Sequence, residues 1–160
     1  MSNLSRTVRD ELVRYFRHLA ARVERAARAT PPDQFWVKPL SFGNSVGHLL
    51  LHMTGNLNHY LGSLVAGTGY VRDRPLEFTD PAGYAPDEVL ERFKDAIEMV
   101  VRTVESQDDA DLMTAVKAQD PIETRFGLLL VCAAHLNNHI GQLAYLVQAH
   151  GRSTNEPPIW

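Results

Sequence analysis

Apolar residues recur every three or four positions in four long segments of this chain, the period of a helix that buries one face. In the first, from about Leu4 to Ala29, the stripe is Leu4, Val8, Leu12, Phe16, Leu19 and Val23, and Pro31 and Pro32 stop it. In the second, Asn44 or Ser45 supplies an N-cap. Val46, Leu49, Leu50, Met53, Leu57, Leu61 and Leu64 then predict a helix to about Val65, ended by Gly67 and Gly69. The third opens at Pro86, with Asp87 and Glu88 complementing the helix dipole, and buries Val89, Phe93, Ile97, Val100, Val101 and Val104. The fourth runs from about Thr124 to Ala149, with Gly151 placed to end it. Between Phe126 and Ala134 it is apolar nearly all round, which predicts the most buried helix of the set.

The connections are less regular. The 66–85 crossover carries Gly, Pro and a mixed charge run, and Arg72-Asp73-Arg74 within it reads as solvated loop. Residues 107–123 hold a short extended piece around Ala115–Ala118. Four helices with at least one long connection predict an all-α four-helix bundle. It forms one domain over 1–152, followed by a C-terminal tail at 153–160.

Composition narrows the function classes. With 160 residues the chain can build a full core, and 44% hydrophobic with 22% charged residues is ordinary for a globular protein. The net charge is −3 and, apart from a cluster on the first helix, the basic residues are scattered. Nucleic-acid binding needs a concentrated positive surface, which is absent from this pattern. No apolar run approaches the ~20 residues that span a bilayer, and the N-terminal segment is too polar for a signal peptide. A single cysteine excludes an intrachain disulfide and fits a reducing compartment, so the cytoplasm is the expected location.

The polar residues inside the helical stripes carry the chemistry. His48 and His52, and again His135 and His139, stand four residues apart, which puts each pair on one helix face with Cβ atoms roughly 5–6 Å apart. Random placement of seven histidines in this chain gives roughly 0.3 such pairs, so two are informative. On the second helix His48, His52, Asn56 and His59 share a stripe. On the fourth, Cys132, His135, His139 and Gln142 do the same. An unpaired polar group there costs roughly 1–3 kcal/mol, so either hydrogen bonds or a shared divalent ion must satisfy these side chains. Three histidines with one or two waters would leave an open position of the catalytic type. Cys132 aligns with His139, although small buried thiols are also common core residues. His48 and His52 are 40° apart around the helix and roughly 6 Å apart along it, so both cannot easily reach one ion. His48, His59, Asn56, Gln142 and Cys132 are therefore candidates for supporting or substrate-facing roles.

Other metal motifs fail. In His135-Leu136-Asn137-Asn138-His139 the residue after the first histidine is Leu136, where a zinc protease needs its glutamate base. The helix interiors also lack the Glu-x-x-His pairs of di-iron bundles. No P-loop, GxGxxG or GxSxG is present.

In combination the motifs resemble a known family. The stretch from Ser45 to Leu57, with a leucine run, His52 and then Gly55-Asn56, is similar to the second helix of the DinB-like superfamily. Arg72-Asp73-Arg74-Pro75 and Glu77-Phe78 resemble the loop that follows in one of its subgroups. His135, His139, Gly141 and Gln142 match its fourth-helix pattern. The resemblance implies an up-down-down-up bundle, commonly a homodimer, with His52, His135 and His139 as ligands to one nickel, zinc or iron ion. It also implies, from relatives that use bacillithiol or mycothiol, a metal-dependent enzyme acting with a low-molecular-weight thiol. The expected activities are thiol S-transfer or hydrolysis, and the alternative is a non-catalytic, stress-related metal-binding or interaction module.

Overall fold

The computed structural model describes residues 3–79, 84–118 and 120–151. The expected C-terminal tail lies outside them. Four long helices form the bundle: α1 (Asn3–Ala29), α2 (Val46–Leu57), α3 (Pro86–Ser106) and, after the short α4 (Asp109–Met113), α5 (Arg125–Ala149). Ser45 is the N-cap of α2, its hydroxyl accepting from the His48 amide. Thr124 caps α5 in the same way through the Gly127 amide. Pro86 occupies the first turn of α3, where its missing N–H is not needed. Gly67 and Gly69 follow the second helix with φ of 67° and 74°, a conformation that strains any residue with a Cβ.

Cross-helix pairs fix the directions. Arg17 meets Glu98 and Glu24 meets Lys94, so α3 runs opposite to α1. Trp36, before α2, donates to the Tyr84 carbonyl, before α3, and Gly62 lies against Met99. These contacts make α2 and α3 parallel. His52 meets His135 while Tyr60 and Leu128 line one cavity further along, so α5 runs opposite to α2. The result is an up-down-down-up bundle in which α2 and α5 pack side by side.

Three details differ from the sequence reading. The second helix does not continue as α-helix to Val65; it widens into a π-helical turn over Asn58–Ser63. The most buried helix is α2, in which 10 of 12 residues are buried, against 9 of 25 in α5. The reason is position. α3, α5 and Trp36 cover α2, whereas α5 leaves an outer face on which Leu130 and Tyr145 are exposed despite their apolarity. Third, α4 interrupts the connection between α3 and α5, held by a reciprocal Asp108/Asp111 cap. The extended piece that follows is a single antiparallel bridge, Ala115 to Thr124. No described helix is long and apolar enough to cross a membrane.

Trp36 covers the first turn of α2, where a Cβ on Gly47 would overlap its ring. Gly47→Ala is therefore expected to push Trp36 away and destabilise the fold by about 1–3 kcal/mol, as overpacking does. Equilibrium denaturation monitored by circular dichroism checks this.

Candidate metal centre

Antiparallel packing of α2 on α5 brings three histidines to one point. His52 is buried, and His135 and His139, one turn apart on α5, are half-buried. The Nε2 atom of His135 lies 3.1 Å from His52 Nε2 and 3.0 Å from His139 Nε2. Among the described residues these are the only three metal-capable side chains that converge in this way.

The outer nitrogens explain the orientation of the rings. His52 Nδ1 is 2.8 Å from Glu77 Oε2, and the carboxylate can only accept, so Nδ1 carries a proton and Nε2 is the nitrogen that a neutral ring turns to the cluster. Arg72 grips the same carboxylate with both arms, Nε to Oε1 at 2.6 Å and Nη2 to Oε2 at 2.8 Å. On α5, His139 Nδ1 donates to Gln142 Oε1 at 2.9 Å, which again leaves Nε2 bare. Burial alone would raise the Glu77 carboxyl, but hydrogen bonds from His52 and Arg72, with the Arg72 charge, hold it below the usual carboxylate value. Glu77 reaches α2 because residue 55 is glycine; a Cβ there would overlap its Oε1.

Residues 9–143 match the DinB superfamily. The chain belongs to the DinB superfamily. Its fold is similar to that of a solved DinB-like protein, YjoA from Bacillus subtilis. The TM-score is 0.68 at 19% identity, over 90% of this chain and 94% of that one, a likeness of fold alone. No curated protein matches it.

Against this DinB frame, the expected site residues separate. His52, His135 and His139 come together. His48 does not join them: its Nδ1 lies 2.6 Å from Ser45 Oγ in a capping box, and its ring packs edge-on against Trp36. His59 is two turns beyond His52, roughly 10 Å along the axis, and packs against the Tyr60 ring. Gln142 orients His139. Asn56 and Cys132 line a cavity beside the cluster. Burial pushes the Cys132 thiol up to about 12, so it is no thiolate nucleophile at neutral pH. The sequence reading missed Glu77 and took Arg72 for part of a solvated loop, whereas Arg72 is half-buried and paired with Glu77. The available signal was Gly55, a helix-interior glycine inside an otherwise apolar run, which marks a place where another group approaches the backbone.

The donor set fits a divalent ion. His52 and His139 present bare nitrogens, and the third imidazole stands between them at separations close to the ~3.3 Å expected of two nitrogens on one tetrahedral ion. Burial, together with the neighbouring His139, His52 and Arg72, drives His135 down to about 3, so protons do not compete for His135 at neutral pH. Burial also lowers His139, against the Gln142 hydrogen bond.

These shifts set a pH dependence for the metal-free protein. Below the ordinary histidine value of about 6.5 the unfolded chain takes up protons that folded His135 and His139 refuse. Their contribution to stability is therefore complete above that pH and is lost progressively toward about 3 for His135. Denaturant unfolding of chelator-treated protein should show stability falling from about pH 7 to about pH 5, with a shallower fall in His135→Gln.

Proposed function

We propose that this DinB-superfamily protein is a metal-dependent enzyme that activates a small exogenous thiol for transfer to an electrophile. The observation that carries the reading is a cavity of about 190 Å³ that reaches His52 and His135, with no fourth protein ligand closing the cluster among the described residues. A structural centre would be sealed by a fourth side chain; a catalytic one keeps a position for its substrate.

His52, His135 and His139 would hold the ion, which could be nickel, zinc or ferrous iron, all suited to imidazole. When bound, such an ion lowers the pKa of a thiol or water that reaches it. Glu77 keeps the His52 proton on Nδ1, Gln142 does the same for His139, and Arg72 holds the Glu77 carboxylate in place. The cavity favours a thiol over water. Among the described residues no carboxylate lines it, and both oxygens of Glu77 are engaged, so none of them stands ready as a general base for hydrolysis. A thiol is acidic enough to dispense with that base. The nucleophile comes from outside, because Cys132 is buried and held protonated.

Two outcomes are expected. Elemental analysis should find about one divalent ion per chain, lost in His52→Ala and in His139→Ala but kept in His48→Ala, whose histidine serves the helix cap. Equal metal content in His139→Ala and the parent would remove His139 from the centre. With the loaded protein, a thiol and a model electrophile should yield the S-conjugate in a reaction stopped by chelation. Glu77→Gln should weaken metal affinity or turnover by about 10–100-fold, the usual effect of removing a ligand's hydrogen-bond partner. Conjugate formation unaffected by the chelator would sink the proposal.

A further inference from the structure

Asn56 and Arg74 both line the cavity, and the histidine cluster uses neither. Asn56 is 7% exposed, and its Oδ1 is buried with no hydrogen-bond partner among the described residues. Native interiors rarely leave such an amide oxygen unpaired, so it points to a donor that arrives with a ligand. The second group is Arg74, which lines the same cavity from the crossover and forms no ion pair among the described residues. Its guanidinium lies over the Phe78 ring, 5.3 Å from the centroid, and Phe78 rests on His52 at 4.9 Å. Aromatic stacking thus holds the head group near the cluster.

The local charge balance singles out Arg74. Arg72 and Glu77 cancel each other. Among the described residues that line the cavity, Arg74 is then the guanidinium without a carboxylate partner. The facing wall is apolar, built by Leu128, Val131 and Cys132. We infer that the cavity takes a small ligand bearing one carboxylate. The Arg74 fork grips the carboxylate, Asn56 Oδ1 accepts an N–H or O–H from the ligand, and the ligand's carbon skeleton lies on the apolar wall. A guanidinium matches a carboxylate in both charge and planar two-point geometry, whereas a phosphate dianion would leave charge unmet at a single arginine. The cavity volume agrees, since a void of roughly 150 Å³ already accommodates a benzene ring. Combined with the thiol reading, on which this identification rests, the ligand is a small mercapto-carboxylic acid.

Calorimetric titration of the metal-loaded full chain tests the inference. The probes are mercaptoacetate and its near-isostere mercaptoethanol, applied to the parent and to Arg74→Met, a change at an exposed side chain. Mercaptoacetate should bind at least about tenfold tighter than mercaptoethanol, and Arg74→Met should erase that preference while leaving mercaptoethanol affinity within about twofold. Asn56→Ala should weaken ligands that carry a donor. Equal affinities in the parent, or a preference that survives Arg74→Met, would overturn the carboxylate assignment while leaving thiol activation standing. If neither thiol binds, the thiol reading falls, and glycolate against ethylene glycol then decides the subsite. Arg74-dependent binding of glycolate upholds it; no binding of glycolate overturns it.

Discussion

A carboxylate buried among helices is expensive unless both of its oxygens have partners, and Glu77 satisfies that condition with an arginine and a histidine from two different segments. The arrangement joins the long crossover to the middle of α2. It needs a helix face with no side chain, which Gly55 provides although glycine inside a helix costs roughly 1 kcal/mol relative to alanine. It also needs Arg72 in an exact bidentate fit, a geometry lysine cannot reproduce. Remove any of these residues and His52 loses the partner that decides which of its nitrogens faces the cluster.

The α2–α5 packing does the rest. One turn of α5 spaces His135 and His139, and the antiparallel partner delivers His52 into the gap. Beyond Leu57 the helix widens, with the Leu64 and Ala66 amides bonding five residues back to His59 and Leu61. Such turns recur beside functional sites. Here the widened segment carries Tyr60, which lines the cavity, and Leu61, which enters the core.

Much of this was legible in the chain. Ser45 and Pro86 announced helix starts through first-turn chemistry, the four-residue spacings set His48 with His52 and His135 with His139 on single helix faces, and the family resemblance singled out His52, His135 and His139. The ranking of helices by burial was not legible. Periodicity reports how apolar residues are distributed around one helix, and says nothing about which neighbours cover it; hence α5 looked more buried than α2. The roles of Glu77 and Arg72 were hidden for a related reason. In a loop, a charged residue has no face from which its direction can be read, and only the tertiary docking turns this pair inward. The two motif glycines also divide: Gly55 makes room for a carboxylate, while nothing in the structure approaches Gly141 closely enough to explain it.

The bond between Glu77 and His52 couples the crossover to the imidazole cluster thermodynamically. Docking of the crossover selects the His52 tautomer that leaves Nε2 bare, which is the form an ion would require. By reciprocity, an ion that favours this tautomer favours the docked crossover by the same free energy. Arg74 and Phe78 belong to that segment, so the wall that Arg74 gives the cavity is in place only when the crossover is docked. An ion at the histidines and the crossover wall beside them would then stabilise each other.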